Sequence, residues 1–134
     1  MSKKLIALCA GLALAGSLGF ASQASADQAG HGAGNCFLSR DWEGWKSPDP
    51  NTIILRVGVR QYYRVDLSAG SNQLDAPAMH LVNKVRGSDW ICGPLDLQLE
   101  LADDHDAFRE PLIVKAITRL TPEQVAQIPR KYLP

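Results

Sequence analysis

Residues 95–101 read Leu95-Asp96-Leu97-Gln98-Leu99-Glu100-Leu101, four leucines at alternate positions with an acid or an amide in every gap. Side chains along an extended strand point in turn to opposite faces, so this spacing makes one oily face and one wetted face. A helix would scatter the same leucines around its circumference. The stretch predicts a half-buried strand of an antiparallel sheet. The same period recurs upstream, where Ile53, Leu55, Val57 and Val59 share one face and Thr52, Arg56, Gly58 and Arg60 fall mostly on the other. Tyr63, Val65 and Leu67 resume the alternation after a break near Arg60 and Gln61. The two runs read as a hairpin, although no Asn-Gly or Asp-Gly marks its turn. Met79 to Val85 is a weaker strand, ended by Gly87, Ser88 and Asp89. Leu112 to Arg119, rich in β-branched residues and opened by Pro111, reads as the final strand.

The last element is a short helix. Thr121 suits the N-cap, Pro122 the first helical position, Gln124 completes a capping box, and Leu120 is placed to staple to Val125. Pro129 ends it after about two turns. A helix so short is marginal alone and needs the sheet beneath Val125 and Ile128. Between Cys36 and the first long strand, Phe37 to Pro50 carries Trp42 and Trp45, which would share a face if a helical turn formed there, and ends in the turn signal Ser47-Pro48-Asp49-Pro50. Ser68 to Ala78 is a loop. These readings predict a mainly β domain: a small antiparallel sheet of about five strands with a short C-terminal helix, after a cleaved N-terminal signal helix.

That signal is read from Lys3 and Lys4, the apolar run Leu5 to Phe20, and the small residues Ala24, Ser25 and Ala26 before Asp27. The run of about 16 residues is broken by Gly11, Gly16 and Gly19 and falls short of the roughly 20 a membrane span needs. Cys9, preceded by bulky Leu8, is a poor lipid-attachment site and is expected to leave with the signal. The predicted organisation is a signal peptide over 1–26, a Gly-rich flexible leader over 27–35 that includes His31, and one β-rich domain over 36–134. No later run is long and apolar enough to span a membrane. Loss of Lys3 and Lys4 leaves 12 basic residues from 14 against 14 acidic ones, a charge of about −2 that argues against nucleic acid as a partner.

Two cysteines remain after cleavage, Cys36 and Cys92. In an exported chain nothing holds them reduced, so a Cys36–Cys92 disulfide is expected. A nucleophilic or metal-binding Cys92 would need a base or further ligands, but there is no Cys-x-x-Cys and His80 is the only histidine near it in sequence. The cluster Asp103, Asp104, His105 and Asp106 offers oxygen and imidazole ligands, yet it lacks calcium-loop spacing and reads as an acidic hairpin turn. Glu100 and Glu110 flank that turn without a sign that either is buried. No nucleophile elbow, zinc-protease pair or phosphate loop is present. No catalytic residue, metal ligand set or cofactor is assigned. The aromatic residues Trp42, Trp45 and Tyr62 are the candidate binding residues, with Tyr63 and Trp90 also carrying large apolar area. The competing reading puts the indoles and Tyr63 in the core.

Cys36 before a strand-rich segment, Tyr63-Arg64 with Leu67, Ser71 with Leu74, Cys92 followed closely by Asp96, and Leu112 with Val114, Ile117 and Leu120 form a spaced framework. It resembles that of a family of small exported bacterial proteins classed as a domain of unknown function. The likeness covers nearly all of the mature chain. Members usually carry four cysteines, and here the second and fourth positions hold Ser71 and Leu112. The resemblance implies that those two positions bridge each other in relatives, which leaves Cys36 to pair with Cys92. One extra residue separates Cys92 from Asp96, so no special role is carried over to Asp96. The family implies no activity, substrate or cofactor.

The function expected from these readings is a non-enzymatic envelope or secreted module that binds an envelope or extracellular protein or glycan, through one sheet face or the segment Phe37 to Trp45. The expected location is the periplasm or beyond, with no stable membrane span after cleavage at Ala26. The alternative is a small-molecule or metal-binding module, or a small hydrolase, built on Asp104, His105 and Glu110.

Overall fold

A computed structural model describes residues 35–105 and 107–134. The signal segment, Cys9, His31, the leader through residue 34 and Asp106 lie outside the described residues. The domain is mainly β, with antiparallel pairing throughout and a short C-terminal helix. Strands β1 (Phe37–Leu38) and β6 (Trp90–Ile91) form a small ladder. Strands β2 (Trp42–Asp49), β3 (Thr52–Val57), β4 (Gln61–Leu67) and β9 (Val114–Arg119) make a four-stranded sheet in that order. Strands β5 (Met79–Asn83), β7 (Leu99–Asp103) and β8 (Arg109–Leu112) make a three-stranded one. Only Ile113 separates β8 from β9, so the chain turns a corner from one sheet into the other at that exposed residue.

One core lies between the two larger sheets. Ile53, Leu55 and Val57 of β3 and Tyr63, Val65 and Leu67 of β4 meet Leu99 and Leu101 of β7 and Leu112 of β8 there. Phe37 and Ile91 close one part of it, and the Phe37 ring centroid is 4.6 Å from that of Tyr63. The Cys36–Cys92 disulfide staples the two-residue strands that carry Phe37 and Ile91, across a sequence separation of 56. A ladder so short holds few hydrogen bonds of its own, so the covalent link supplies what pairing does not. The bonded pair fits an oxidising extracellular or periplasmic location.

The alternation of β3 and β4 is as the sequence predicts, with two departures. Val57 pairs with Gln61, which leaves Gly58, Val59 and Arg60 as the hairpin loop. Gly58 takes φ 56 there, a left-handed conformation that costs glycine little. Val59 therefore lies at the loop tip, 83% exposed, instead of on the core face. The opposite face of β3 is also covered: Thr52 and Ile54 are buried, and Ile54 lines a cavity with Leu120, Gln124, Ile128 and Pro129. The segment carrying the C-terminal helix α1 (Pro122–Gln127) borders that cavity through Leu120, Gln124 and Ile128, and β3 is buried on both sides and not half-buried. Its start is as predicted, with Pro122 at the first helical position and Thr121 and Gln124 forming a reciprocal capping box.

The indoles do not sit on a helical turn. Trp42 and Trp45 belong to β2, and between Trp42 and Gly44 the register slips against β3 by one residue. That bulge resets the period, so Trp42 opposite Val57 and Trp45 opposite Leu55 both face the core although they are three apart.

The leucine run is a strand only from Leu99. Asp96 folds back, its carboxylate accepting from the Cys92 and Gly93 amides at 3.0 Å each, and so shapes a tight turn after the disulfide. Leu97 remains buried, but Leu95 is 91% exposed. The expected final strand is β9 from Val114 onward, while Leu112 ends β8 of the other sheet, and Pro111 lies inside β8, which is an edge strand that spares the missing donor.

The loop after β4 is strapped to the β2–β3 turn, with the Leu67 amide donating to the Asn51 carbonyl at 2.8 Å and Ser71 to Pro50 at 2.9 Å. Gly70 lies in this strap. A methyl group there would meet the Pro50 carbonyl oxygen at 2.6 Å, as well as the Asn51 side chain. Gly70→Ala is expected to cost about 1–3 kcal/mol by urea denaturation. Trimming the neighbour with Asn51→Ala should recover only part of the loss, since the Pro50 obstacle is backbone.

Candidate binding surface

The structure separates the three aromatic residues that the sequence groups. Trp42 and Trp45 are half-buried on the core face of β2 and packed on the core. The Trp42 indole N–H donates to the Gly44 carbonyl at 2.9 Å, so its polar edge is used within the bulge. Tyr62 stands opposite Arg56 on the other face of the sheet, half-buried. It lines a cavity of about 680 Å³ with Arg60, Arg119, Leu120, Pro122 and Val125.

On the other side of the β3–β4 hairpin tip lies a second concavity of about 410 Å³, lined by Phe37, Leu38, Val57, Val59 and Trp90 beside Cys36. Arg60 and Gln61 border both concavities. Two large apolar residues are open to solvent here, Val59 at 83% and Trp90 at 52% exposure. Arg60 is exposed and makes no ion pair among the described residues. Trp90 was legible as an aromatic among polar residues. The nearness of Val59 and Arg60 to it was not, because β1 pairs with β6 across a long stretch of intervening chain.

The polar residues of the alternative reading do not converge. Asp104 and His105 are exposed in the β7–β8 turn, where Asp104 lies 3.6 Å from His80. Glu110 lies elsewhere, paired across from Leu101, and accepts from the Ser71 hydroxyl at 2.5 Å. Among the described residues, no three His, Cys, Asp or Glu side chains gather to hold a metal ion, and no helix is long and apolar enough to cross a membrane.

Glu100, predicted on the wetted face, is only 8% exposed. It occupies the central strand of its sheet, and Lys84 and Arg109 close over its carboxylate from either side. Hydrogen bonds from Lys84, then from Arg109, hold the Glu100 pKa below its ordinary value of 4.5 against the opposing effect of burial. A carboxylate lowered in the folded state contributes stability above its unfolded pKa and loses it as pH falls through the folded one. Stability is therefore expected to drop as the pH falls below about 4.5 and through the lowered folded-state pKa of Glu100. Glu100→Gln should flatten that part of a melting-temperature profile, leaving the slope due to Asp103 and Glu123, whose pKa values are also lowered. An unchanged profile would contradict this role.

Compared with family models, with curated proteins and with solved structures, the chain matches none.

Proposed function

We propose that this chain is a periplasmic or secreted binding module, trimmed after Ala26, that recognises an envelope or extracellular protein by the surface around the β3–β4 hairpin tip. It works by association and not by chemistry. The observation that carries the reading is the exposure of Val59 and Trp90 beside Arg60, which makes no ion pair among the described residues, with a concavity on each side. Large apolar side chains held in solvent side by side, Val59 on the hairpin and Trp90 on β6, are the kind of surface that partners cover. The disulfide supports the exported location. Membership of the exported four-cysteine family is part of the proposal. It is supported by Ser71 and Leu112, both buried, with Ser71 bonded to Glu110 two residues before Leu112 on the same strand.

Affinity capture from intact cell envelope tests the reading, with the mature chain and its Val59→Asp variant as matched baits. Val59 sits in an exposed loop, so the variant is expected to fold, which circular dichroism checks. A protein recovered reproducibly by the wild type and lost with the variant is the expected result. Equal recovery by both baits removes the hairpin tip as the binding surface.

A further inference from the structure

We infer that the hairpin-tip surface takes an extended peptide segment in which an acidic residue is flanked by large apolar ones, an inference that rests on the proposed binding role of this surface. Arg60 stands on the divide between the two concavities and borders both. Its guanidinium is charged at every relevant pH and can grip a carboxylate with two parallel hydrogen bonds. Arg119, which has partners of its own in the fold, adds positive charge to the larger cavity. Among the described residues no acid lines that cavity, and the one acid lining the smaller, Asp41, lies 4.0 Å from Arg40. The charge of the tip thus calls for an anion.

The walls on either side call for apolar groups. Trp90, Val59, Phe37 and Leu38 offer one apolar pocket, and Tyr62, Leu120, Pro122 and Val125 the other. A small anion would satisfy Arg60 and leave both pockets wet; a purely apolar ligand would bury Arg60 without a partner, which costs free energy. A peptide crossing the tip meets all three demands, its acid on Arg60 and one apolar side chain to each side. The narrowness of the tip, three loop residues between Val57 and Gln61, suits a chain laid across it in extended form.

The test is an NMR titration of the mature, disulfide-bonded protein with the acetylated and amidated peptide GSFDLSG and with its neutral analogue GSFNLSG. The expected result is that amide shifts cluster at Gly58 to Tyr62 with the Trp90 indole, and that the acidic peptide binds about fivefold more tightly at low salt, as an exposed ion pair allows. That preference should vanish in about 0.5 M salt and in Arg60→Gln. Arg60 is exposed in a loop, so the variant keeps the fold, which an unchanged spectrum away from the tip verifies. Equal affinity for both peptides at the tip overturns the acidic preference and leaves the binding surface standing. Shifts clustered elsewhere overturn both readings. No shifts from either peptide at millimolar concentration overturn the peptide inference, and the envelope capture then decides the binding role independently.

Discussion

Removing the disulfide with Cys36→Ser and Cys92→Ser together is expected to cost about 4 kcal/mol, because the bridge closes a loop of some 57 residues and so restricts the unfolded chain. Domains of this size are stable by about 5–15 kcal/mol, so a large share of the whole would go. In urea the midpoint should fall by about 2–3 M at an unchanged native baseline. Reductant should move the wild type onto the variant's curve and leave the variant where it is. The loss has a local face as well. With two-residue partners, β1 and β6 cannot hold together by their own ladder, so Phe37 and Ile91, buried to 3% and 1% exposure, are expected to exchange amide protons faster than β3 and β4. Coincident curves for the wild type and the double variant would show that packing alone carries this corner of the fold.

Tyr63→Ala is expected to cost about 3–5 kcal/mol, the range for emptying an aromatic site in a close-packed core. The ring is fully buried on β4, packed against Phe37 and surrounded by residues from both sheets, so no neighbour is free to fill the space. The hydroxyl is a lesser matter. It reaches only Gln61, at 3.4 Å, too long for a strong bond, and burial pushes its pKa up. Tyr63→Phe should accordingly change stability by less than about 1 kcal/mol. A double cycle with Phe37→Leu isolates the ring pair, for which about 0.5–1.5 kcal/mol is expected beyond simple burial. If Tyr63→Phe proved as costly as Tyr63→Ala, the hydroxyl and not the ring would be the anchor.

These two sites differ in how readable they were. The cysteine pair follows from a count, once export is expected from the residues before Asp27, with no geometry needed. Tyr63 was placed correctly on an alternating strand, but its role as the hinge of the core depends on Phe37, whose strand finds its partner only at Trp90 and Ile91. The capping box at Thr121 and Gln124 was legible because all of its atoms belong to four neighbouring residues. The bulge beside Glu43 was not, because it exists only as a mismatch in register between β2 and β3. It is also what turns both tryptophans toward the core, where they are half-buried.

By itself the sequence determined the class of this fold, its antiparallel character, the covalent pairing and the start of its helix. Each follows from the period of side chains along an extended chain, from the chemistry of thiols, or from hydrogen bonds spanning a few residues. Tertiary structure alone decided that Glu100 is enclosed by Lys84 and Arg109, that Leu95 faces water while Leu97 does not, and that Val59, Arg60 and Trp90 share one surface. The reason is common to all three. A residue's alternation says which face of a strand it takes, but what covers that face is set by which distant strand arrives beside it, and pairing between segments far apart in the chain leaves no local mark.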